Sequence, residues 1–254
     1  MKFNLRLTIR VISAFVFAVA LGVLLWYFYQ SMENRALQRA IAAMRPQLTI
    51  VDGKVVEDEI REDGILKPFQ DLLAENPDTI GWLTIDGTSV DYVVMHAPNE
   101  QDKYLHRDFY GNESRWGTLY VAESCDVRTS DNIIIYGHHM RDGTMFGALA
   151  QYESAEFYRA HPTVRFDTIY GTGTYEIVAV VRTDATIGSS AFPYYSYTQA
   201  NDPETHAEYA AYVTRNRLYD TGSSIQEGDR LLTLSTCNYH TTNGRLIVVC
   251  RRAA

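Results

Sequence analysis

The chain has 254 residues, of which 46% are hydrophobic and 21% charged, and its formal net charge is −8. This composition is that of an ordinary globular protein, and it excludes an intrinsically disordered chain, a collagen-like repeat and a disulfide scaffold. Residues 1–30 carry three basic side chains and no acidic one, so the rest of the chain has a net charge of −11. Phosphate binding needs locally positive surface, and we therefore expect no DNA or RNA partner.

A run of 19 uncharged residues, Val11 to Tyr29, predicts a transmembrane helix. As a helix it spans about 28 Å, close to the hydrocarbon thickness of a bilayer. A buried core helix and a cleaved signal peptide are the alternatives. The near absence of polar positions argues against a core helix. The aromatic residues that close the run, Trp26 to Tyr29, favour an uncleaved anchor with an interfacial aromatic belt.

The orientation of this span rests on a nearly balanced charge count, because three basic residues precede it and three arginines follow. Lys2, Arg6 and Arg10 lie close to the span with no acidic residue among them, which favours a cytoplasmic N terminus at residues 1–10. We therefore expect a single-pass membrane protein whose main domain lies outside the cell.

The chain has three cysteines, Cys125, Cys237 and Cys250. An odd and sparse set argues against a disulfide framework, even in an oxidising compartment. At least one free thiol is therefore expected, although a disulfide between two of the three stays open.

The segment after the span divides into three parts. Residues 31–45 are rich in helix formers and are expected to continue the anchor as a juxtamembrane helix. The polar, acidic stretch Val51–Gly64 is interpreted as a linker or surface arm. A helix is predicted over Gly64–Asn76, ending at Asn76-Pro77. The predicted organisation is thus a transmembrane anchor at 11–29, a juxtamembrane helix and linker at 30–64, and one domain at 65–254.

From Thr79 onward the pattern changes to short apolar runs separated by Gly, Asp, Asn and Pro, which is typical of strands with turns. Eight such runs with few long helices predict a mostly β protein with a closed or nearly closed barrel. A helix over Asp202–Leu218, opened by Asp-Pro, is predicted to lie between the sixth and seventh strands. The eight predicted strands are Gly81–Ile85, Val90–Met95, Gly117–Val121, Asn132–Tyr136, Val164–Phe166, Tyr175–Val181, Arg230–Leu234 and Arg245–Cys250.

Cys237 ends the run LLTLSTC, and an Asn-Gly turn signal separates it from the strand opened by Arg245. A hairpin here would place the two side chains opposite each other, about 5 Å apart at Cβ. A guanidinium beside a thiol lowers the thiol pKa or supplies donors to an oxyanion. The alternatives are a small buried cysteine and a solvated strand-end arginine.

His138 and His139 follow a strand and Gly137, which permits an unusual backbone angle or a close approach. A histidine near a free thiol is what nucleophilic catalysis by cysteine requires, because imidazole can protonate a leaving amine near neutral pH. Metal binding is disfavoured, because the chain has no H-E-x-x-H and no C-x-x-C motif. We predict no metal and no cofactor.

These motifs together resemble those of class B sortases. The resemblance is carried by TLSTC at Thr233–Cys237, by Arg245 eight residues later, and by NIIIYGHHMRDGTMFG around His138. ENPDTIGWLTIDGTSVDY at Glu75–Tyr92 is similar to the family's lead into its barrel, and the predicted inserted helix matches the insertion of class B. The resemblance implies an eight-stranded sortase barrel over roughly residues 65–252 and a membrane-anchored cysteine transpeptidase, a thiol peptidase in the wider sense.

In catalysis the resemblance implies Cys237 as nucleophile, His138 as acid and base, and Arg245 as a holder of the substrate backbone and the oxyanion. Ser235 and Thr236 are further candidates for substrate binding. The alternative is that both side chains have only a structural role in the strand. The implied partners are secreted proteins with a C-terminal sorting signal, cleaved after Thr, and an amine of peptidoglycan or its lipid-linked precursor.

Three other functions remain open at this point. A pilin-polymerising sortase would use the same triad. A cysteine protease would pass the acyl group to water instead of an amine. A membrane-tethered binding domain would bury the cysteine and leave it unreactive.

Overall fold

The structure is a computed structural model that describes residues 5–51, 54–56, 59–186, 192–199, 203–238, 241 and 243–253. The chain divides into two compact units, Met1–Ala43 and Met44–Ala254. Helix α1, Leu5–Ala43, is continuous through the predicted span and ends two residues before the predicted end of the juxtamembrane helix. Within it, the segment Thr8–Ala43 is long and apolar enough to cross a membrane, with a mean hydropathy of 2.4 over its most apolar window.

The segment before the barrel is more structured than expected of a linker. Strands β1 (Ile50–Val51) and β2 (Lys54–Val55) form a short antiparallel hairpin. The helix predicted over residues 64–76 begins later, as a 3₁₀ turn at Lys67–Phe69 that leads into α2, Gln70–Glu75. It starts late because residues 61–64 form a turn in which the Gly64 amide donates to the Arg61 carbonyl.

Eight strands form a closed barrel in the order β10-β8-β7-β3-β4-β5-β6-β9, which confirms the predicted architecture. Each predicted strand corresponds to one observed strand, with ends that differ by a few residues. In the part of the chain that the structure describes, two neighbouring pairs are parallel, β4 with β5 and β6 with β9, and the other pairs of the barrel are antiparallel. The strands are β3 (Thr79–Thr84), β4 (Asp91–Met95), β5 (Leu119–Val121), β6 (Asn132–Tyr136), β7 (Thr163–Thr168), β8 (Thr174–Asp184), β9 (Leu231–Cys237) and β10 (Gly244–Arg252).

Side chains fill the barrel because β-branched and leucine residues alternate with residues that face outwards. Ile135, Leu234 and Val248, which are paired across three neighbouring strands, are all completely buried. The interior is therefore a packed core, and the functional site must lie at an end or on the outer face.

The predicted inserted helix is present as α4, Pro203–Asn216, between the sixth and seventh strands of the barrel. Its expected N-cap, Asp202, lies outside the described residues. Tyr209 and Val213 of α4 pack in a buried cluster with residues of β8 and β10, so the insertion covers part of the outer barrel wall.

Between β6 and β7 the chain forms two helical segments that the sequence analysis did not identify. These are a 3₁₀ helix at Phe146–Glu153 and α3 at Ala155–Ala160. The Ser154 side chain caps α3 by accepting hydrogen bonds from the amides of Glu156 and Phe157.

Candidate active site

The parallel pair β6–β9 brings the His138 segment to the level of Cys237. In this pair Tyr136 lies opposite Ser235, and the Gly137 amide donates to the Ser235 carbonyl over 3.2 Å. Strand β6 ends at Tyr136, and His138 follows two residues later in the loop. The next residue, His139, contacts the backbone carbonyl of Cys237, so the loop that carries His138 lies against the end of β9.

The antiparallel pair β9–β10 adds Arg245 to the same level. Arg245 lies directly opposite Cys237, which confirms the register predicted from the hairpin. The pairing continues one step beyond the strand, where the Asn238 amide donates to the Gly244 carbonyl over 2.8 Å. Directly opposed residues have Cβ atoms about 5 Å apart, so thiol and guanidinium can act on one substrate group.

Alternation along β9 explains why Cys237 is accessible. Thr233, Ser235 and Cys237 share one face, and the insertion covers the first two. The Tyr209 hydroxyl bonds Thr233 Oγ1 at 2.8 Å, and the Tyr194 hydroxyl bonds Ser235 Oγ at 2.7 Å. Cys237 comes next, where this cover ends, and it is only partly buried.

The other two cysteines lie in the core. All three are free, so no disulfide joins any pair of them. Cys125 and Cys250 are 3% and 0% exposed, and burial raises the pKa of the Cys125 thiol to about 11 and that of Cys250 further. Thiols of this kind are poor nucleophiles, which leaves Cys237 as the reactive candidate.

The loop that carries His138 is held close to the barrel wall. A Cβ on Gly137 would collide with the side chains of Leu119 and Phe146, so glycine is required here for close approach. The loop closes on itself, because the Phe146 amide donates to the His138 carbonyl over 3.0 Å. Met145 adopts a φ of +51°, a strained conformation for a residue with a side chain.

A backbone carbonyl fixes the tautomer of His138. Its Nε2 lies 2.7 Å from the Leu105 carbonyl oxygen, which can only accept, so Nε2 carries a proton and donates. Burial lowers the pKa of His138, the Leu105 contact opposes that effect, and the charge of His106 lowers it further. The rings of His106 and His138 have centroids 5.4 Å apart. In the neutral ring Nδ1 is therefore the atom that can accept a proton.

His139 has a different role in the structure. Its Nδ1 lies 2.8 Å from the backbone carbonyl oxygen of Cys237 and donates to it. This contact joins the histidine loop to the end of β9, so His139 positions the backbone of the candidate nucleophile.

The Arg245 guanidinium is held by the turn beside it. Its Nη1 donates to the carbonyls of Gly244 and Asn243 over 3.1 and 3.3 Å. Among the described residues it forms no salt bridge with a carboxylate. Burial raises the pKa of the nearby Tyr194 phenol, and the hydrogen bond with Ser235 and the charge of Arg245 partly oppose that rise.

The two secondary candidates, Ser235 and Thr236, are both buried and hydrogen bonded. Ser235 is bonded to Tyr194, and Thr236 Oγ1 donates to the Gly137 carbonyl over 2.8 Å. They lie on opposite faces of β9, so only Ser235 shares the face of Cys237.

Three participants were missed by sequence reasoning. Leu105 acts through its backbone carbonyl oxygen, and because every residue has one, the residue type gives no signal of this role. His106 is one of seven histidines in the chain, and Tyr194 is one of eighteen tyrosines, so neither is distinctive without a contact.

Comparison with known proteins identifies the family of this chain. The protein-family model of the sortase domain matches residues 83–253 of this chain, and this range includes the whole candidate site. The chain belongs to the sortase family. Sortase B of Listeria monocytogenes is 30% identical over 95% of this chain and 93% of its own length. This sortase is therefore of the B type, a cysteine transpeptidase.

Solved structures of sortase B share the fold. The enzyme from Bacillus anthracis in complex with AAEK1 has a TM-score of 0.74 and 27% identity, and the match covers 89% of this chain and 99% of that one. A Staphylococcus aureus sortase B–substrate complex has a TM-score of 0.67 and 27% identity, over 74% of this chain and 86% of that one. The single apolar N-terminal helix of this sortase is consistent with a membrane anchor.

Replacing His106 with Gln should raise the pKa of His138, because the electrostatic interaction with His106 that lowers this pKa is removed. Titration of the His138 ring protons by NMR in the full chain measures the shift. His161→Gln is the control, because His161 bonds the Asp86 carbonyl elsewhere on the surface. An unchanged or lower His138 pKa in His106→Gln would contradict the contact between the two rings.

Proposed function

We propose that this sortase joins secreted proteins to the cell wall by transpeptidation, with Cys237, His138 and Arg245 as its catalytic residues. The proposal is supported by the pairing of Cys237 on β9 with Arg245 on β10, and by the position of His138 just after β6, the parallel neighbour of β9. The sorting signal lies near the C terminus of the secreted protein and is cleaved after Thr. The resemblance of the motifs to those of class B sortases supports this substrate.

In the first half-reaction, His138 Nδ1 accepts the proton of the Cys237 thiol, and the thiolate attacks the threonine carbonyl carbon. The peptide C–N bond then breaks, His138 returns the proton to the departing amine, and a thioester remains on Cys237. The lowered pKa of His138 suits this transfer, because an imidazolium formed in the step is a stronger acid towards the amine.

In the second half-reaction, an amine of peptidoglycan or its lipid-linked precursor attacks the thioester. His138 takes a proton from the attacking amine, the C–S bond breaks, and the thiolate leaves with a new amide formed. The thioester conserves the energy of the cleaved bond, which is why transfer needs no cofactor.

Arg245 supports both steps as a donor. Its guanidinium is bonded to two turn carbonyls, and these are weak partners that a substrate carbonyl or an oxyanion can replace. A planar fork of N–H groups can bind the substrate backbone and the developing negative charge together.

The proposed location is the cell membrane, with α1 as a single-pass anchor and residues 44–254 on the outer surface. Helix α1 is long enough to cross the bilayer, and the basic residues at 1–10 favour a cytoplasmic N terminus. This orientation gives the domain access to secreted proteins and to wall amines.

Cys237→Ala should abolish both cleavage and transfer, since no other group can carry the acyl chain. The fold should persist, because loss of one partly exposed sulfur costs about 1 kcal/mol. The assay is mass spectrometry of a sorting peptide incubated with and without an added amine. Cys250→Ala is the control and should keep activity, since Cys250 is buried away from the site.

The same assay separates the proposed function from its alternatives. Transfer to the amine supports the transpeptidase, hydrolysis alone identifies a protease, and no reaction at all favours a binding domain. Transpeptidation retained in Cys237→Ala would refute the assignment of the nucleophile.

His138→Ala should lower kcat/KM by several orders of magnitude, because it removes the proton donor for the leaving amine. His139→Ala should have a much smaller effect, since the His139 ring bonds a backbone carbonyl of Cys237 and positions the chain there. Steady-state kinetics on one sorting peptide compares the two variants. The reverse ranking would assign catalysis to His139.

Arg245→Lys should be nearly as inactive as Arg245→Ala, because a single ammonium cannot replace a fork of donors. Loss of one oxyanion donor typically costs about 10² to 10³ in rate. The measurement is kcat/KM of both Arg245 variants on one sorting peptide, together with the pH dependence of Cys237 alkylation. Near wild-type turnover in the Lys variant would show that charge alone suffices.

A further inference from the structure

A cavity with three arginines lies at the end of the barrel opposite Cys237. Its volume is about 160 Å³, well above that of a single water site. Arg128 from the β5–β6 connection, Arg230 before β9 and Arg252 at the end of β10 line it. Arg230 and Cys237 are separated by the length of β9, about 23 Å at the rise of a strand. The cavity is therefore separate from the catalytic site.

The three guanidiniums have no acidic partner in the part of the chain that the structure describes. Among the described residues, none of Arg128, Arg230 and Arg252 forms a salt bridge. The contrast with Arg251 is direct, because that residue pairs with Glu176 on the next strand, at 3.0 Å. Uncompensated positive charge of this kind is unusual in a domain whose net charge is strongly negative.

Contacts with the backbone and with aromatic rings fix the arginines at the cavity. Arg230 Nη2 donates to the Arg128 carbonyl over 2.8 Å, and Arg252 Nη2 donates to the Thr172 carbonyl over 2.9 Å. The Arg128 guanidinium lies 5.0 Å from the centre of the Tyr170 ring. These contacts use only some of the N–H groups and leave donors for a ligand.

A phenol adds a further donor. Tyr175, which lines the same cavity, is 4% exposed, and its hydroxyl makes no hydrogen bond to any described residue. Tyr175, Arg230 and Arg252 all line this cavity. Burial raises the pKa of the Tyr175 phenol, and the charges of Arg252 and Arg230 oppose that rise.

We propose that this cavity, which we call the distal arginine cavity, binds a phosphate group. Guanidinium groups bind phosphate through paired, charge-assisted hydrogen bonds. Three guanidinium groups and the Tyr175 hydroxyl together can donate hydrogen bonds to a small tetrahedral anion that has several acceptor oxygens. The phosphate can come from a lipid headgroup or from a soluble phosphate ester, and the chemistry of the cavity is the same for both.

The test uses the full chain in nanodiscs of phosphatidylcholine, titrated with glycerol 3-phosphate by calorimetry. We expect the wild-type chain to bind glycerol 3-phosphate saturably. The double variant Arg128→Gln with Arg252→Gln should weaken this binding at least tenfold. Arg128→Gln alone should weaken it several-fold. The Arg128 guanidinium donates no hydrogen bond to any described residue and lies over the Tyr170 ring, so this variant should leave the fold intact. Arg159→Gln, which removes an exposed arginine on α3, is the control and should bind normally.

The rate of Cys237 alkylation should be unchanged in these variants, which checks that the barrel is intact. Nanodiscs that contain phosphatidylglycerol distinguish the two sources of the phosphate, which are a lipid headgroup and a soluble ester. If they abolish binding of glycerol 3-phosphate, the site takes a lipid headgroup, and if they do not, it takes a soluble ester. No saturable binding in phosphatidylcholine nanodiscs, or equal binding by the double variant and the wild type, would overturn the proposal.

Discussion

Strands β6 and β9 are parallel neighbours in the barrel although most of the domain's second half separates them in sequence. A parallel pair requires a long crossover, because a short turn can only reverse the chain. Here the crossover contains β7, β8 and the insertion with α4. His138 follows one strand of the pair and Cys237 ends the other, so the site exists only once the crossover has folded.

Buried polar contacts hold that pair in register. Thr233 Oγ1 donates to Asn132 Oδ1 over 2.9 Å, across the β6–β9 interface. Thr233 also bonds the Tyr209 hydroxyl of α4, and the Asn132 amide donates to the Tyr197 carbonyl over 2.8 Å. A slip of one residue would leave these buried groups without partners, at a cost of about 1 to 3 kcal/mol each. The insertion thus fixes the strand that carries the nucleophile.

Local sequence patterns were sufficient for the eight barrel strands, for the inserted helix and for the Cys237–Arg245 pair. Short apolar runs located all eight strands, and the Asn-Gly turn set the Cys237–Arg245 pair correctly. The cap of α3, Ser154 followed by Glu156, was a readable signal that the sequence analysis overlooked. The β1–β2 hairpin has only two residues in each strand, too few for any periodic pattern.

The other half of the site depends on contacts between distant segments. Nothing in the residues around His138 reveals that β6 pairs with β9, or that the Leu105 carbonyl fixes the histidine tautomer. Ser235 and Thr236 were adjacent candidates in sequence, but pleating places them on opposite faces, where Ser235 bonds Tyr194 and Thr236 bonds Gly137.

The central claim is that the register of three strands makes Cys237 the residue that carries the acyl group. Intact-mass and peptide-mapping spectrometry of the full chain, quenched in acid during turnover of a sorting peptide, tests it most directly. The account predicts a hydroxylamine-sensitive adduct whose mass equals the N-terminal peptide fragment, located on Cys237. An adduct on Cys125 or Cys250, or turnover with no adduct on any cysteine, would contradict it.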